Sequence, residues 1–154
     1  MQANKYRTHN CGEIRTSDVG KTVRLAGWVD TNRDMGGLIF IDIRDKYGIT
    51  QVVFNPKTPM HSEASKLRGE WVVVIEGEVS IRPKDMENPK LATGAVEIHA
   101  KDLKVLNMAL TTPIEIKDEI TVNDDTRMQY RYLDLRRAPL QKALKIRHRI
   151  NPVS

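Results

Sequence analysis

Phe40 stands among charged residues in a segment that otherwise alternates like a β-strand. In the stretch GGLIFIDIRDKYGITQVVF, successive side chains point to opposite faces. Phe40 shares its face with Asp42 and Arg44, whereas the core face is made by three isoleucines, Ile39, Ile41 and Ile43. An exposed ring can stack on a nucleic acid base of any type, which contributes about 1–3 kcal/mol. Single surface aromatics are also common, so packing of the ring under a loop stays an open alternative.

Polar side chains that suit nucleic acid recognition are predicted beside Phe40. Arg33 ends the preceding strand, Gln51 lies on the following strand, and two later strands present Arg82 and Glu97 on their outer faces. Arginine contacts phosphate or guanine, and glutamine and glutamate read base edges. In this hypothesis stacking gives affinity and the polar residues give selectivity. His99, which also faces outward, is interpreted as solvated.

Five strand patterns and one short helix must position these residues. The first strand, TVRLAGWVD, contains Gly27, which indicates a bulge or a close approach of the backbone. A hairpin turning at DKYG supplies the second and third strands, and a short helical stretch follows in NPKTPMHSEASKLRGE. The fourth strand, WVVVIEGEVSIR, is predicted to place Ile81 inside and Arg82 outside, and the fifth strand is AVEIHAKDLKVL.

This order of elements predicts an all-β fold. Five strands with a short helix between strands 3 and 4 is the pattern of the five-stranded Greek-key OB-fold barrel. An open α+β sheet is the alternative, whereas a sandwich would need more strands. We predict the barrel over residues 1–107, a polar and proline-punctuated linker or hinge over 108–137, and a C-terminal helix in 138–154 that starts a further domain.

The net charge of +5 is concentrated at one end of the chain. Residues 1–126 carry 17 Lys and Arg against 19 Asp and Glu, whereas residues 127–154 carry 8 against 1. A nucleic acid would therefore be held on the barrel by a local patch and by stacking, with little long-range attraction.

The cysteine content, the apolar segments and the absence of catalytic motifs narrow the class of protein. The single cysteine, Cys11, cannot form an internal disulfide, which favours a reducing cytoplasm, and no cysteine or histidine spacing indicates a metal site. No apolar run is long enough to span a membrane, and no secretory leader is recognisable. No glycine-rich phosphate loop or paired-carboxylate site is present, so we predict no catalytic residue.

Several motifs resemble the N-terminal region of bacterial-type aspartyl-tRNA synthetases, which are class II enzymes. They are LAGWV, RDMGGLIFIDIRDKYGITQVVF, KLRGEWVVVIEGEV, NPKLATGAVEI and TRMQYRYLDLRR. In that family the barrel is the anticodon-binding domain, and a hinge joins it to the catalytic domain. The resemblance implies that Phe40 stacks on the middle uridine of the anticodon. It further implies contacts to anticodon bases or backbone from Arg33, Gln51, Arg82, Asn88 and Glu97.

The resemblance also implies properties of a longer parent enzyme. Such an enzyme would attach aspartate to tRNA(Asp) with ATP and magnesium and would act as a homodimer. We expect the residues for that chemistry beyond position 154, so this chain needs no cofactor and should not aminoacylate alone. The hinge arginines would either contact the tRNA or pair with acidic groups of the other domain; they are Arg127, Arg131, Arg136 and Arg137.

Two other functions remain open for the barrel. A general single-strand binder would show little preference among anticodon loops and a dominant salt dependence. A protein-interaction or dimerisation domain would self-associate without affinity for RNA.

Overall fold

The computed structural model describes residues 4–151 and contains a closed five-stranded barrel. The strand order around the barrel is β1-β2-β3-β5-β4, and a short helix, α1, connects β3 to β4. The predicted all-β OB-fold, with its helix between strands 3 and 4, is therefore confirmed. The bounds of these elements are β1 Thr22–Met35, β2 Leu38–Arg44, β3 Ile49–Phe54, α1 His61–Ser65, β4 Val72–Ile81 and β5 Val96–Asn107.

Alternate residues of the strands fill the barrel interior. The three isoleucines of β2 are fully buried, as the alternation predicts. Antiparallel pairing joins β2 to β1 on one side and to β3 on the other. A short parallel pairing of Val52 with Ile98 joins β3 to β5 and closes the barrel. Because β2 is fixed on both sides and by its buried face, Phe40 has to face outward.

Gly27 marks the point where β1 changes its pairing partner. Residues 22–28 of β1 pair with β4, and residues 28–35 pair with β2. A Cβ atom at Gly27 would lie only 2.4 Å from the carbonyl oxygen of Arg44, so only glycine fits this contact. The close approach predicted at Gly27 is confirmed. This close approach lets the long strand β1 pair first with β4 and then with β2, and Arg33 on β1 therefore lies beside Phe40 on β2.

The end of β4 differs from the predicted alternation. Ile81, predicted to face the core, is 57% exposed, whereas Arg82 lies on the outer face as predicted but is only 6% exposed. The last core position of the strand is Val79, so Ile81 lies beyond the packed interior. Arg82 follows the end of the strand, where its Nε atom donates to the carbonyl oxygen of Val96 at 2.9 Å. This hydrogen bond holds the guanidinium against β5.

The described residues from 112 to 151 form a second compact unit, which includes most of the predicted linker. Its helices are α2 Asp124–Gln129, α3 Arg131–Asp134 and α4 Ala138–Ile150, of which α4 confirms the predicted C-terminal helix. The side chain of Asn123 caps α2 by accepting a hydrogen bond from the backbone of Thr126 at 2.9 Å. A small apolar cluster of Ile114, Ile116 and Leu133 gives this unit its own core.

In the same unit, Asp134 joins two of the hinge arginines. Its Oδ1 atom accepts a hydrogen bond from Arg137 at 2.9 Å and one from Arg127 at 3.3 Å. Arg137 also donates to the carbonyl oxygens of Lys117 and Asp118. These two arginines therefore have acidic and carbonyl partners within the unit itself.

Residues 1–3 and 152–154, at the outer ends of the predicted first and last domains, lie outside the described residues. Within residues 4–151, no helix combines the length and the apolar character that a membrane span requires.

Candidate nucleic-acid interface

An open cavity of about 580 Å³ lies on the outer face of the barrel. Its walls come from β1, β2, β3, β5 and the loop between β4 and β5, and we call it the groove. The groove contains every residue that the motifs predict as a binding residue. These residues are Arg33, Phe40, Gln51, Arg82, Asn88 and Glu97.

Phe40 forms a half-buried apolar surface in the groove. Its cross-strand neighbours are Arg33 on β1 and Val53 on β3. The guanidinium carbon of Arg33 lies 5.9 Å from the centre of the ring, within the range of a cation–π interaction. A flat ligand that stacked on Phe40 would therefore lie within reach of a positive charge.

A row of hydrogen-bonded side chains crosses the groove beside Phe40. Arg33 Nη2 lies 3.4 Å from both Asp42 Oδ2 and Gln51 Oε1. Gln51 Nε2 donates to Glu97 Oε2 at 3.0 Å, and Glu97 Oε1 contacts His99 Nε2 at 2.9 Å. We call these five residues the polar chain. They come from four different strands, and barrel closure between β3 and β5 brings them together.

Glu97 and Gln51 lie on the outer face of the barrel but are buried in the polar chain. We predicted that Glu97 faces outward, and its position between the core residues Val96 and Ile98 agrees with that face. Its low exposure follows from the side chains that surround it in the groove. Both of its carboxylate oxygens have partners, which holds the group in one orientation.

Arg82 contributes an unused hydrogen-bond donor. Its Nη2 atom is buried and has no acceptor within residues 4–151. Burial lowers the pKa of the guanidinium, although Asp42 and Glu97 act in the opposite direction. A buried donor without a partner is costly. A ligand that placed an acceptor against Nη2 would therefore gain both a charged hydrogen bond and relief of that cost.

Asn88 lies in the loop between β4 and β5. Its backbone N–H donates to the carbonyl oxygen of Gly94 at 3.0 Å, and its side-chain oxygen accepts from the N–H of Lys90 at 3.1 Å. These bonds close the loop on itself and fix the side chain at the edge of the groove. The side-chain amide nitrogen is the group that Asn88 can offer to a ligand.

Sequence reasoning missed several groove residues. His99, interpreted as solvated, is exposed but bonded to Glu97, and its place two positions after Glu97 on the same face was the available signal. Asp42 binds Arg33 in the groove. The lining also includes two methionines and two leucines, which lie at the end of β1, at the start of β2 and in the loop between β4 and β5. They are Met35, Leu38, Met86 and Leu91.

Two other residues that could take part in binding or chemistry, Arg44 and Cys11, lie outside the groove lining. Arg44 makes ion pairs with Asp30 and Glu70. Cys11 is buried, and burial, with Asp45 nearby, raises the pKa of its thiol, which keeps it protonated at neutral pH. No group of three or more potential metal ligands occurs within residues 4–151.

Residues 23–106 match the family model of the OB-fold nucleic acid binding domain. The match covers more than half of the chain and extends from β1 almost to the end of β5. The chain therefore belongs to the family of OB-fold nucleic acid binding domains.

The curated relatives of the chain include aspartate–tRNA(Asp/Asn) ligases. The enzyme of Desulfatibacillum aliphaticivorans is 50% identical over 146 residues, which are 94% of this chain and 24% of the relative. The enzyme of Rubrobacter xylanophilus is 53% identical over 148 residues, which are 96% of this chain and 25% of the relative. The resemblance inferred from the motifs is confirmed. The chain spans about a quarter of the length of these relatives.

Solved structures agree with this assignment. The asparaginyl-tRNA synthetase of Pyrococcus horikoshii is 30% identical, with a TM-score of 0.68 over 83% of this chain and 29% of that chain. An OBody bound to hen egg-white lysozyme, AM3L09, is 29% identical, with a TM-score of 0.58 over 69% of this chain and 100% of that chain. The same barrel thus occurs within a tRNA synthetase and alone in a complex with a protein.

Proposed function

We propose that this chain is the anticodon-binding domain of an aspartate–tRNA ligase and reads the anticodon loop of tRNA(Asp). One observation carries the proposal: the six residues implied by the family resemblance line a single groove around Phe40. The groove combines an apolar surface for a base with polar groups at its sides. Membership in a nucleic acid binding family and the names of the curated relatives support the same function.

In this proposal the middle uridine of the anticodon stacks on Phe40. Single-stranded RNA is read through splayed-out bases that stack on aromatic rings and present their edges to polar side chains. The ring supplies about 1–3 kcal/mol. Arg82 Nη2 donates to a base or phosphate oxygen, and Gln51 and Glu97 are beside the edge of the stacked base.

The charge distribution supports selective rather than general binding. The barrel and most of the hinge, residues 1–126, carry slightly more acidic than basic residues. On the barrel, neutralisation of many phosphates is therefore not available as the main source of affinity. Contacts to a few bases in the groove have to supply most of the binding free energy, which favours an anticodon reader over a general single-strand binder.

The chemistry of aminoacylation belongs, in this proposal, to the rest of the parent enzyme. Activation of aspartate uses ATP and magnesium, and residues 4–151 hold no cluster of carboxylate, histidine or cysteine ligands that fits a metal ion. In this proposal the chain supplies tRNA selection, and the chemical steps belong to the rest of the parent enzyme. Homodimerisation is likewise proposed for the parent rather than for this chain.

The proposal is tested by binding of the 154-residue chain to RNA stem-loops at fixed salt. The loops carry GUC, the anticodon of tRNA(Asp), or GUC with one base replaced. We expect Phe40→Ala to weaken GUC binding by about 1–3 kcal/mol, because the stacking surface is lost. Isothermal titration calorimetry measures the affinity, and circular dichroism verifies the fold. A GUU loop, the anticodon of tRNA(Asn), reports whether the chain shares the dual specificity in its relatives' names.

Tyr47 provides the matched control. It is an exposed aromatic residue in the turn between β2 and β3 and is not part of the groove lining. Tyr47→Ala should leave the affinity for GUC unchanged. Equal binding of all loops that falls steeply with salt would instead identify a general single-strand binder.

A protein partner is the second candidate for the groove, because an OBody with this fold binds lysozyme. The groove has a partly exposed apolar edge, formed by Met35, Leu38 and Met86. Self-association of the chain without measurable affinity for any RNA loop would favour this second function and contradict the first.

A further inference from the structure

His99 forms the outer end of the polar chain. Its side chain is 57% exposed, and its Nε2 atom lies 2.9 Å from Oε1 of the buried Glu97. An ionised carboxylate can only accept hydrogen bonds, so Nε2 of His99 carries the hydrogen in this contact. The pair therefore fixes one oxygen of Glu97 from the solvent side of the groove.

The second oxygen of Glu97 fixes the orientation of a neighbouring amide. Gln51 Nε2 donates to Glu97 Oε2 at 3.0 Å, and Gln51 Oε1 faces Arg33 Nη2 at 3.4 Å. An amide turned by 180° would place oxygen against the carboxylate and N–H₂ against the guanidinium. Both contacts would be repulsive, because oxygen would face oxygen and donor would face donor. The side chain of Gln51 is therefore held in one of its two orientations.

A fixed amide can distinguish uracil from cytosine. The pairing edge of uracil presents an N3–H donor and an O4 acceptor, whereas cytosine presents an N3 acceptor and an N4–H₂ donor. Replacement of one base by the other therefore reverses the pattern that a glutamine amide meets. Phe40 and Gln51 lie on adjacent strands, because Phe40 pairs with Val53 and Asp42 pairs with Gln51. A base stacked on Phe40 would have an edge near this amide.

We propose that His99 is a positioning residue for base selection. It holds Glu97, Glu97 holds the amide of Gln51, and the fixed amide favours uracil over cytosine at the base that stacks on Phe40. This inference rests on the proposed function of the groove. It assigns a role to a side chain that need not contact the base.

The test compares two stem-loops that differ only in the middle base, GUC and GCC. The measured quantity is the ratio of their dissociation constants with the 154-residue chain at fixed salt. His99→Ala removes one hydrogen bond from Glu97, and we expect the preference for uracil to fall about 2- to 10-fold. His99→Gln keeps an N–H donor and should restore part of the preference. Affinity that falls equally for both loops in His99→Ala would overturn the inference.

Lys101 provides the matched control on the same strand. It lies two residues after His99 on the outer face, pairs with Glu78 and is not part of the groove lining. Lys101→Ala removes a basic side chain of similar exposure and should leave the ratio unchanged. A similar loss of preference in Lys101→Ala would mean that charge, not positioning, controls the ratio, and would overturn the inference.

A double-mutant cycle separates positioning from direct contact. If His99 acts through Gln51, then His99→Ala should not change the ratio further in a chain that already carries Gln51→Ala. A full effect of His99→Ala in that background would contradict the inference and indicate a direct contact with the base. A wild-type chain without preference between GUC and GCC would instead contradict the proposed function, so the two failures are distinguishable.

Discussion

Two arginines on the barrel with little exposed side chain, Arg44 and Arg82, differ in what they contact. The side chain of Arg44 is 13% exposed and makes ion pairs with Asp30 and Glu70, which are similarly buried. The Nε atom of Arg82 donates to the carbonyl of Val96, and its Nη2 atom is buried without a partner among residues 4–151. A buried arginine with acidic partners ties strands together. A buried arginine with an unused donor, placed in a groove, is available to a ligand.

The second unit contains an arginine of the first kind. Arg137 is buried and donates to Asp134 and to the carbonyl oxygens of Lys117 and Asp118. Its five N–H groups are largely used within the unit. This contrast predicts that substitutions of the paired arginines change stability, whereas substitution of Arg82 changes RNA affinity.

The largest effect is expected for Arg44→Met. Removal of the guanidinium breaks the ion pairs of Arg44 with the partly buried carboxylates of Asp30 and Glu70, which costs about 3 kcal/mol. Urea unfolding followed by circular dichroism measures this loss. Arg24→Met is the matched control, because Arg24 forms a more exposed pair with Glu76 and should cost less than about 1 kcal/mol. Equal losses in the two variants would break the comparison.

A smaller effect, on binding rather than folding, is expected for Arg82→Met. The variant loses the donor that we assign to the RNA, and a hydrogen bond to a charged group contributes about 1.5–3 kcal/mol. Calorimetry with the GUC stem-loop measures the affinity, and urea unfolding measures stability. The comparison predicts that Arg82→Met loses less stability than Arg44→Met. Unchanged RNA affinity in a folded Arg82→Met chain would contradict the assigned role.

The smallest effect concerns pH and the second unit. Burial opposes ionisation of Asp134, but the hydrogen bonds from Arg137 and Arg127 outweigh it and hold the pKa of this carboxyl below its usual value. A lowered folded-state pKa stabilises the fold at neutral pH, and this contribution is lost as the pH falls below about 4.

The methyl signals of Ile114 and Leu133, recorded by NMR during acid titration, report this loss within the second unit. Asp134→Asn should abolish the acid-dependent step. Asp124→Asn should leave it unchanged, because Asp124 is largely exposed and its ion pair with Arg127, at 3.0 Å, lies at the surface. An identical acid response in both variants would show that Arg137 is not held by a titrating partner.

The sequence pattern was sufficient where regular alternation continues along a strand. The isoleucines of β2 and Gly27 of β1 occupy the positions that the pattern predicts, because a closed barrel repeats the same inside–outside rule on every strand. Ile81 departs from the rule, since β4 ends there and the packed interior stops at Val79. All six predicted binding residues line the groove, and the binding role of each of them stays a prediction.

Hydrogen bonds between residues far apart in the chain could not be predicted from the sequence pattern. His99 and Glu97 are close in the chain, but their link to Gln51 depends on the parallel closure of β3 and β5, which no local pattern encodes. The hinge shows the same limit. Its polar sequence with Pro113 indicates a linker. Asp134 and Arg137 are three residues apart, which is an ordinary spacing, and only tertiary packing decides that their pair is buried.

The position of the stacked base tests the central claim most directly. The chain contains two phenylalanines, and Phe54 is fully buried in the core, so phenylalanine ring signals from the surface belong to Phe40. We predict nuclear Overhauser contacts between the ring of Phe40 and the middle uridine of a bound GUC stem-loop. A bound loop whose middle uridine contacts other residues, with the Phe40 ring signals unchanged, would contradict the account.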